Sequence, residues 1–366
     1  MPAPVTPKPV AHLIEGPNFT PGRVNWDADV EVHKLSNNES PIGSSPAAVE
    51  AIREHASSLY IYGDADGLPL AMAIAERFEL DPARIIVGPG SEQLINWIIQ
   101  GWADRGDEVL YPEHAFQSYR IRARMCGAVP VAAPETGLRA DIQSLLDAVT
   151  PRTKVLVIAN PNNPTGTHIP LAEVKALREA LRPDVLLVVD EAYFEYVNAA
   201  DYGSAMPLVT AGGENVIVTR TFSKFYGLAG LRAGWAHVPS SLAAPLSRVR
   251  GPYPVSSLAM AGAAAALTDF EFQKRAKAHN DKWLPWLVSE VEKLGYETSR
   301  SEANFVLFRI PGGAEAAQAL EDALTEKGFI GRTAHQNALP NWIRFSVGTE
   351  RAMTGLVEEL KAYRGQ

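Results

Sequence analysis

An acid at the tip of an apolar run, a lysine among hydroxyls and an arginine in a glycine-rich turn are the residues whose types could do chemistry. The run Val185–Val189 ends in Asp190, with Tyr193 three residues on. An aspartate there can serve a ligand, and it can equally cap the next helix by accepting its first N–H groups. Thr219-Arg220-Thr221-Phe222-Ser223-Lys224 closes a second β-like run, and Arg232 follows within Gly227–Gly234. Hydroxyls, turn amides and a guanidinium grouped this way suit a dianion. A solvated surface turn and a Ser-Lys hydrolase dyad are other readings of the same residues. Asn160-Pro-Asn-Asn163-Pro-Thr-Gly166 follows a third run and reads by itself as a rigid turn. Val87-Gly-Pro-Gly-Ser91-Glu92-Gln93 passes from strand through a glycine turn into a helix, whose unpaired first amides attract phosphate. It is no dinucleotide fingerprint, because Gln93 stands where a third glycine is needed and no phosphate-loop lysine follows.

The elements that must position these residues alternate. Between residues 45 and 250, short β-branched runs such as Lys154–Ala159, Asp184–Val189 and Asn215–Arg220 are separated by helix-like segments such as Leu68–Phe78, Glu92–Ala103 and Leu171–Leu181. That rhythm predicts an α/β fold with a mostly parallel, helix-covered sheet, and such sheets build sites at their strand ends. Ser45-Pro46 and Pro170 mark helix starts, with proline expected in the first turn. Past residue 250 one helical stretch is expected from Ser257 to Val291. A smaller α+β unit follows, with strands over Asn304–Arg309, Phe329–Arg332 and Trp342–Ser346. The expected division is an irregular arm over 1–44, a large domain over 45–250 and a small C-terminal domain over 251–366.

The chain has 366 residues, enough for two domains, and 34 basic against 42 acidic residues give a net charge of −8. With no basic run, neither nucleic acid nor an anionic membrane is an expected partner; small molecules are. Cys126 is the single cysteine, which leaves no thiol cluster for a metal. The apolar runs are about five residues long against the roughly 20 a membrane helix needs, and a cytoplasmic location is expected.

Asn-Pro-Thr-Gly, Asp-x-x-Tyr, Ser-Lys and a downstream arginine, in this order, resemble the aminotransferases among the fold-type-I pyridoxal-phosphate enzymes. Within that class the chain is most similar to the histidinol-phosphate aminotransferases, through Asn37-Asn-Glu-Ser-Pro41, Tyr62-Gly-Asp-Ala-Asp-Gly67, Arg220–Arg232, Pro252-Tyr-Pro254 and Ile343–Thr349. The resemblance implies that Lys224 carries pyridoxal 5′-phosphate as a Schiff base and then moves the substrate proton. It places Asp190 against the pyridine nitrogen. At about 4 Å and an effective dielectric near 20 that attraction is roughly 4 kcal/mol, or about three pKa units, enough to hold the ring protonated. Tyr193 and Asn163 would bond the phenolic oxygen and Phe116 would stack on the ring. The amides of Ser91 and Glu92, with Thr221, Ser223 and Arg232, would hold the phosphate, with Tyr62 reaching in from the partner subunit of a homodimer. Arg344 would take the carboxylate of glutamate or 2-oxoglutarate, and Arg332 the anionic tail of the donor. Phe19, Tyr119 and Tyr253 would line the substrate side.

Two positions depart from the pattern. Phe19, ahead of Pro21-Gly22-Arg23, stands where the family carries a tyrosine facing the substrate phosphate. Glu92 is longer than the usual residue and would crowd a phosphorylated substrate if it pointed inward. The expected reaction is amino-group exchange between glutamate and histidinol phosphate. An aromatic amino-acid aminotransferase, or a decarboxylase of phosphorylated amino acids using the same cofactor, would fit the same motifs.

Overall fold

A computed structural model describes residues 9, 10, 12 and 30–365. Its centre is a sheet of seven strands: β1 (Ile85–Gly88), β2 (Glu108–Pro112), β3 (Val129–Ala133), β4 (Thr153–Ala159), β5 (Leu186–Asp190), β6 (Val216–Thr221) and β7 (Gly234–His237). They lie in the order β1-β7-β6-β5-β4-β2-β3, and β7 alone runs antiparallel to its neighbours. The central strands spell continuous apolar runs because both faces are covered. Val155 and Val157 pack into the core on one face while Leu156 and Ile158 pack into the core on the other. Each such fully buried side chain contributes roughly 1.5–3 kcal/mol.

The helix Pro46–His55 starts as its sequence predicts, with Ser45 Oγ accepting from Ala48 N at 3.2 Å and proline in the first turn. Pro170 differs: it is the cap residue itself, and the helix Leu171–Ala180 begins after it. The single helix expected from Ser257 to Val291 is two, Ser257–Thr268 and Phe270–Lys293. Asp269 breaks it by leaving helical geometry and capping the second helix, its Oδ1 accepting from Phe272 N at 3.1 Å.

Beyond these helices four strands form an antiparallel sheet: β8 (Glu297–Thr298), β9 (Phe305–Arg309), β10 (Arg332–Ala334) and β11 (Leu339–Ser346), in the order β8-β9-β11-β10. The strand expected over Phe329–Arg332 is split at Gly331. Phe329–Ile330 pairs in parallel with His33–Lys34, while β10 pairs with β11. A Cβ on Gly331 would lie 2.4 Å from the Phe345 ring, so only glycine lets the chain change partners at that point. The described part of the expected irregular arm thus carries a short strand, and it leads Asn37 and Asn38 to the junction of the two sheets. Among the described residues no helix is long and apolar enough to cross a membrane.

Candidate active site

Asp190 is the last residue of β5, and register places Thr219 of β6 beside it. Its carboxyl is 6% exposed, and it accepts from Tyr119 Oη at 3.0 Å and Thr219 Oγ1 at 3.2 Å. Burial pushes its pKa up to about 6, against the pull of those two hydroxyls. The element that follows is a short 3-10 turn whose cap residue, Tyr193, makes no side-chain cap bond. Asp190 is therefore not a helix cap. Tyr119, expected on the substrate side, is fully buried and gives its hydroxyl proton to Asp190.

Lys224 follows β6 on the same side of the sheet and is partly buried. Its Nζ donates to the carbonyl of Asn37 at 2.7 Å. Burial, with Arg344 and Arg232 nearby, lowers its pKa to about 8. The Tyr193 hydroxyl accepts from Asn38 Nδ2 at 2.8 Å and Asn163 Nδ2 at 3.2 Å, which leaves its own proton to give. Asn163 Oδ1 in turn accepts from Arg344 Nη1, so the large and small sheets meet through one amide.

An anion cradle lies alongside. Helix Ser91–Trp102 begins after Gly90 with no side chain capping its first amides. Gly90 is in the left-handed region at φ 89°, and a Cβ there would sit 2.6 Å from Arg232 Nη2. Arg232 itself adopts φ 55° and donates to Ser223 Oγ at 3.1 Å, while Thr221 Oγ1 donates to Ser223 Oγ at 2.9 Å. Glu92 does not reach out over the cradle: Oε1 accepts from Ser118 Oγ at 2.7 Å and Arg122 Nη2 at 2.9 Å. The crowding expected of its extra length does not arise in this geometry.

In the small sheet Arg332 and Arg344 are direct cross-strand partners. Like charges opposite each other are unfavourable in a sheet unless an anion spans them. Burial lowers the Arg344 pKa to about 10, with Arg332 adding to the fall. Lys224, Asp190, Tyr193, Asn163, the cradle residues Ser91, Thr221, Ser223 and Arg232, and both arginines of the small sheet face one cavity of about 420 Å³, also lined by Phe116, Asn37, Asn38 and Asn337.

Tyr62 and Tyr253 are not in that cavity. They stack on each other with ring centroids 4.6 Å apart, and Tyr62 is 81% exposed. Phe19 lies outside the described residues. Two contributors escape the sequence reading. Asn38 holds Tyr193 from a left-handed backbone at φ 56°, a conformation asparagine tolerates well. Asn337 donates to the Ala115 carbonyl at 2.7 Å while its own carbonyl meets His114 Nδ1 at 2.8 Å, clasping the two sheets' loops together. The Asn37–Pro41 motif marks the segment but not what Asn38 holds, and nothing local marks Asn337.

Residues 30–360 match the family of class I and II aminotransferases, so the chain belongs to that family. Its similarity is most detailed to histidinol-phosphate aminotransferases. The one from Paramagnetospirillum magneticum is 46% identical over 333 residues, covering 91% of this chain and 92% of that protein. The one from a Ruegeria species is 42% identical over 361 residues, covering 98% of each. Among solved structures, the histidinol-phosphate aminotransferase from Sinorhizobium meliloti in complex with pyridoxal-5′-phosphate superposes with a TM-score of 0.86 at 28% identity, covering 91% of this chain and 92% of that one.

Proposed function

We propose that this protein is a pyridoxal-phosphate-dependent aminotransferase that exchanges an amino group between glutamate or 2-oxoglutarate and histidinol phosphate. The observation that carries the reading is Lys224: an amine with a lowered pKa shares one cavity with a buried carboxylate, a phosphate cradle and a facing arginine pair. These residues fit the cofactor. Uncapped helix amides, two hydroxyls and Arg232 suit a phosphate dianion. Arg344 Nε, buried without an acceptor, suits an anionic ligand.

Bound pyridoxal phosphate supplies an electron sink that makes the hydrogen on the substrate's α-carbon acidic. Lys224 would hold the cofactor through Nζ and, once released, carry the proton between the substrate α-carbon and cofactor C4′. Asp190 would face the ring nitrogen and keep it protonated. Tyr193 would give its free proton, and Asn163 an amide proton, to the phenolic oxygen. Phe116 would cover the ring, while the amides of Ser91 and Glu92, with Thr221, Ser223 and Arg232, would anchor the phosphate. Arg344 would bind the α-carboxylate of glutamate, and Arg332 the side-chain anion or the donor phosphate.

A homodimer completes this reading. Tyr62 ends the exposed apolar run Leu59-Tyr60-Ile61, a segment that favours burial against a second copy, from which Tyr62 would reach the other subunit's phosphate.

The test is kcat/KM for histidinol phosphate, phenylalanine and tyrosine with 2-oxoglutarate. Histidinol phosphate should be transaminated, with aromatic amino acids used unusually well because Phe19 lacks the hydroxyl of its family counterpart. Phe19→Tyr should raise the preference for histidinol phosphate by roughly 10- to 150-fold, the span of one hydrogen bond to a charged group. Release of carbon dioxide without use of the keto acid would replace the reading with a decarboxylase. No turnover of histidinol phosphate would overturn the substrate assignment.

A further inference from the structure

Tyr119 lies in the first turn of helix Ser118–Met125, three residues after Phe116, and its ring meets the Phe116 ring edge-on at 5.9 Å. It is the largest side chain wholly enclosed among the described residues, at 0% exposure, and a buried phenol must find a protein partner for its proton. That partner is Asp190 Oδ2 at 3.0 Å, while Thr219 Oγ1 holds Oδ1 at 3.2 Å. A phenol has one proton to donate, so Tyr119 cannot also donate to a substrate.

We propose that Tyr119, with Thr219, is a positioning residue for Asp190: the two hydroxyls fix the plane of the carboxylate and sustain its charge, and Tyr119 ties that carboxylate to the segment bearing Phe116. The proposal rests on the reading that Asp190 serves the cofactor's ring nitrogen. The need for such support is visible in the surroundings. Burial and the neighbouring Glu191 charge both favour a protonated Asp190, whereas the two hydroxyls oppose them. The other titratable groups that face it are Tyr193, Tyr202 and Lys224, and Glu191 is itself held by Arg220 at 2.9 Å. Among the described residues only the hydroxyls of Tyr119 and Thr219 hydrogen-bond the carboxylate oxygens through side chains, so removing either should be felt at Asp190 first.

The experiment compares wild type with Tyr119→Phe, Thr219→Val and Thr219→Ser. Each apoprotein is titrated with pyridoxal phosphate, the bound cofactor's absorption is followed against pH, and kcat and KM are measured for histidinol phosphate. Tyr119→Phe should weaken cofactor binding and lower kcat by roughly 10- to 100-fold, as expected for one bond to a charged group, with donor KM changed less than about twofold. The acid limb of the spectral titration should move to higher pH, because a carboxylate that loses a donor is protonated earlier. Thr219→Val should shift that limb the same way and Thr219→Ser should not, which keeps the test decisive if Tyr119→Phe fails to fold. A raised donor KM with unchanged cofactor affinity and titration would place Tyr119 on the substrate and overturn the proposal. Asp190→Asn separates the two levels. If it leaves cofactor affinity and kcat intact, the reading of Asp190 falls and the proposal with it; if it damages both while Tyr119→Phe and Thr219→Val change nothing, the proposal alone falls.

Discussion

A lysine must be neutral before it can attack a carbonyl carbon, and at pH 7 an ordinary one is neutral in only about one molecule in several thousand. Lys224, with its pKa lowered to about 8, is neutral in about one in ten. The shift is downward, so the reactive form grows as pH rises through 8 and saturates above it. Recombination of the apoprotein with pyridoxal phosphate should therefore accelerate from pH 6 to about 8.5 and then level off, measured by stopped-flow absorbance; a midpoint near 10 would mean that the pocket does not depress the amine. Asp190 is legible in the sequence because it ends an apolar run, and Lys224 because it follows a β-like run among hydroxyls, with Arg232 in the glycine-rich turn beyond. Tyr119 is only half legible. The family resemblance brings it to the site, but the direction of its hydroxyl depends on Asp190, which comes from a strand distant in sequence. The role of Asn38 is hidden for the same reason, since its four hydrogen bonds go to three distant residues, Ser346, Tyr193 and Asn304.

The strands of the large sheet are legible to within one or two residues, and most plainly the central ones, Thr153–Ala159 and Leu186–Asp190, which burial on both faces writes as runs of Val, Ile and Leu. The small sheet is less so. Phe329–Arg332 spells one strand, and only the Phe345 ring under Gly331 forces the chain to exchange its pairing with His33–Lys34 for pairing with β11. The break at Asp269 is similar, as helix propensity alone does not show that its carboxylate also accepts from Ser45 Oγ at 2.6 Å. The exchange at Gly331 sets the register that brings Arg332 opposite Arg344. Gly331→Ala should therefore cost about 1–3 kcal/mol of stability through overpacking. It should also raise KM for the phosphorylated donor more than for glutamate. Chemical denaturation and steady-state kinetics check both; an equal change in the two KM values would separate the register of Arg332 from donor binding.

For the whole molecule, one chain supplies a cavity with Lys224, Asp190 and the arginines but keeps Tyr62 and Tyr253 outside it. If two copies complete each other's sites, Tyr62→Ala and Lys224→Ala chains mixed under subunit exchange should form heterodimers with one intact site. Activity should then recover to about a quarter of wild type, from half the dimers carrying one working site each, while each parent alone stays low. Recovery no greater than the sum of the parents would place Tyr62 in its own subunit's chemistry or in none. This arrangement is the part least legible from residue patterns, because an interface is written only as exposed apolar side chains, which monomers also carry singly.

The central claim is that Lys224 is the residue that holds the cofactor, and it can be read by mass. The protein reconstituted with pyridoxal phosphate is reduced with borohydride, digested, and its peptides sequenced by tandem mass spectrometry. The account predicts a phosphopyridoxyl group on Lys224, in near-stoichiometric yield, and its loss with all transaminase turnover in Lys224→Ala. The label on another lysine, or a fully active Lys224→Ala protein, would contradict it.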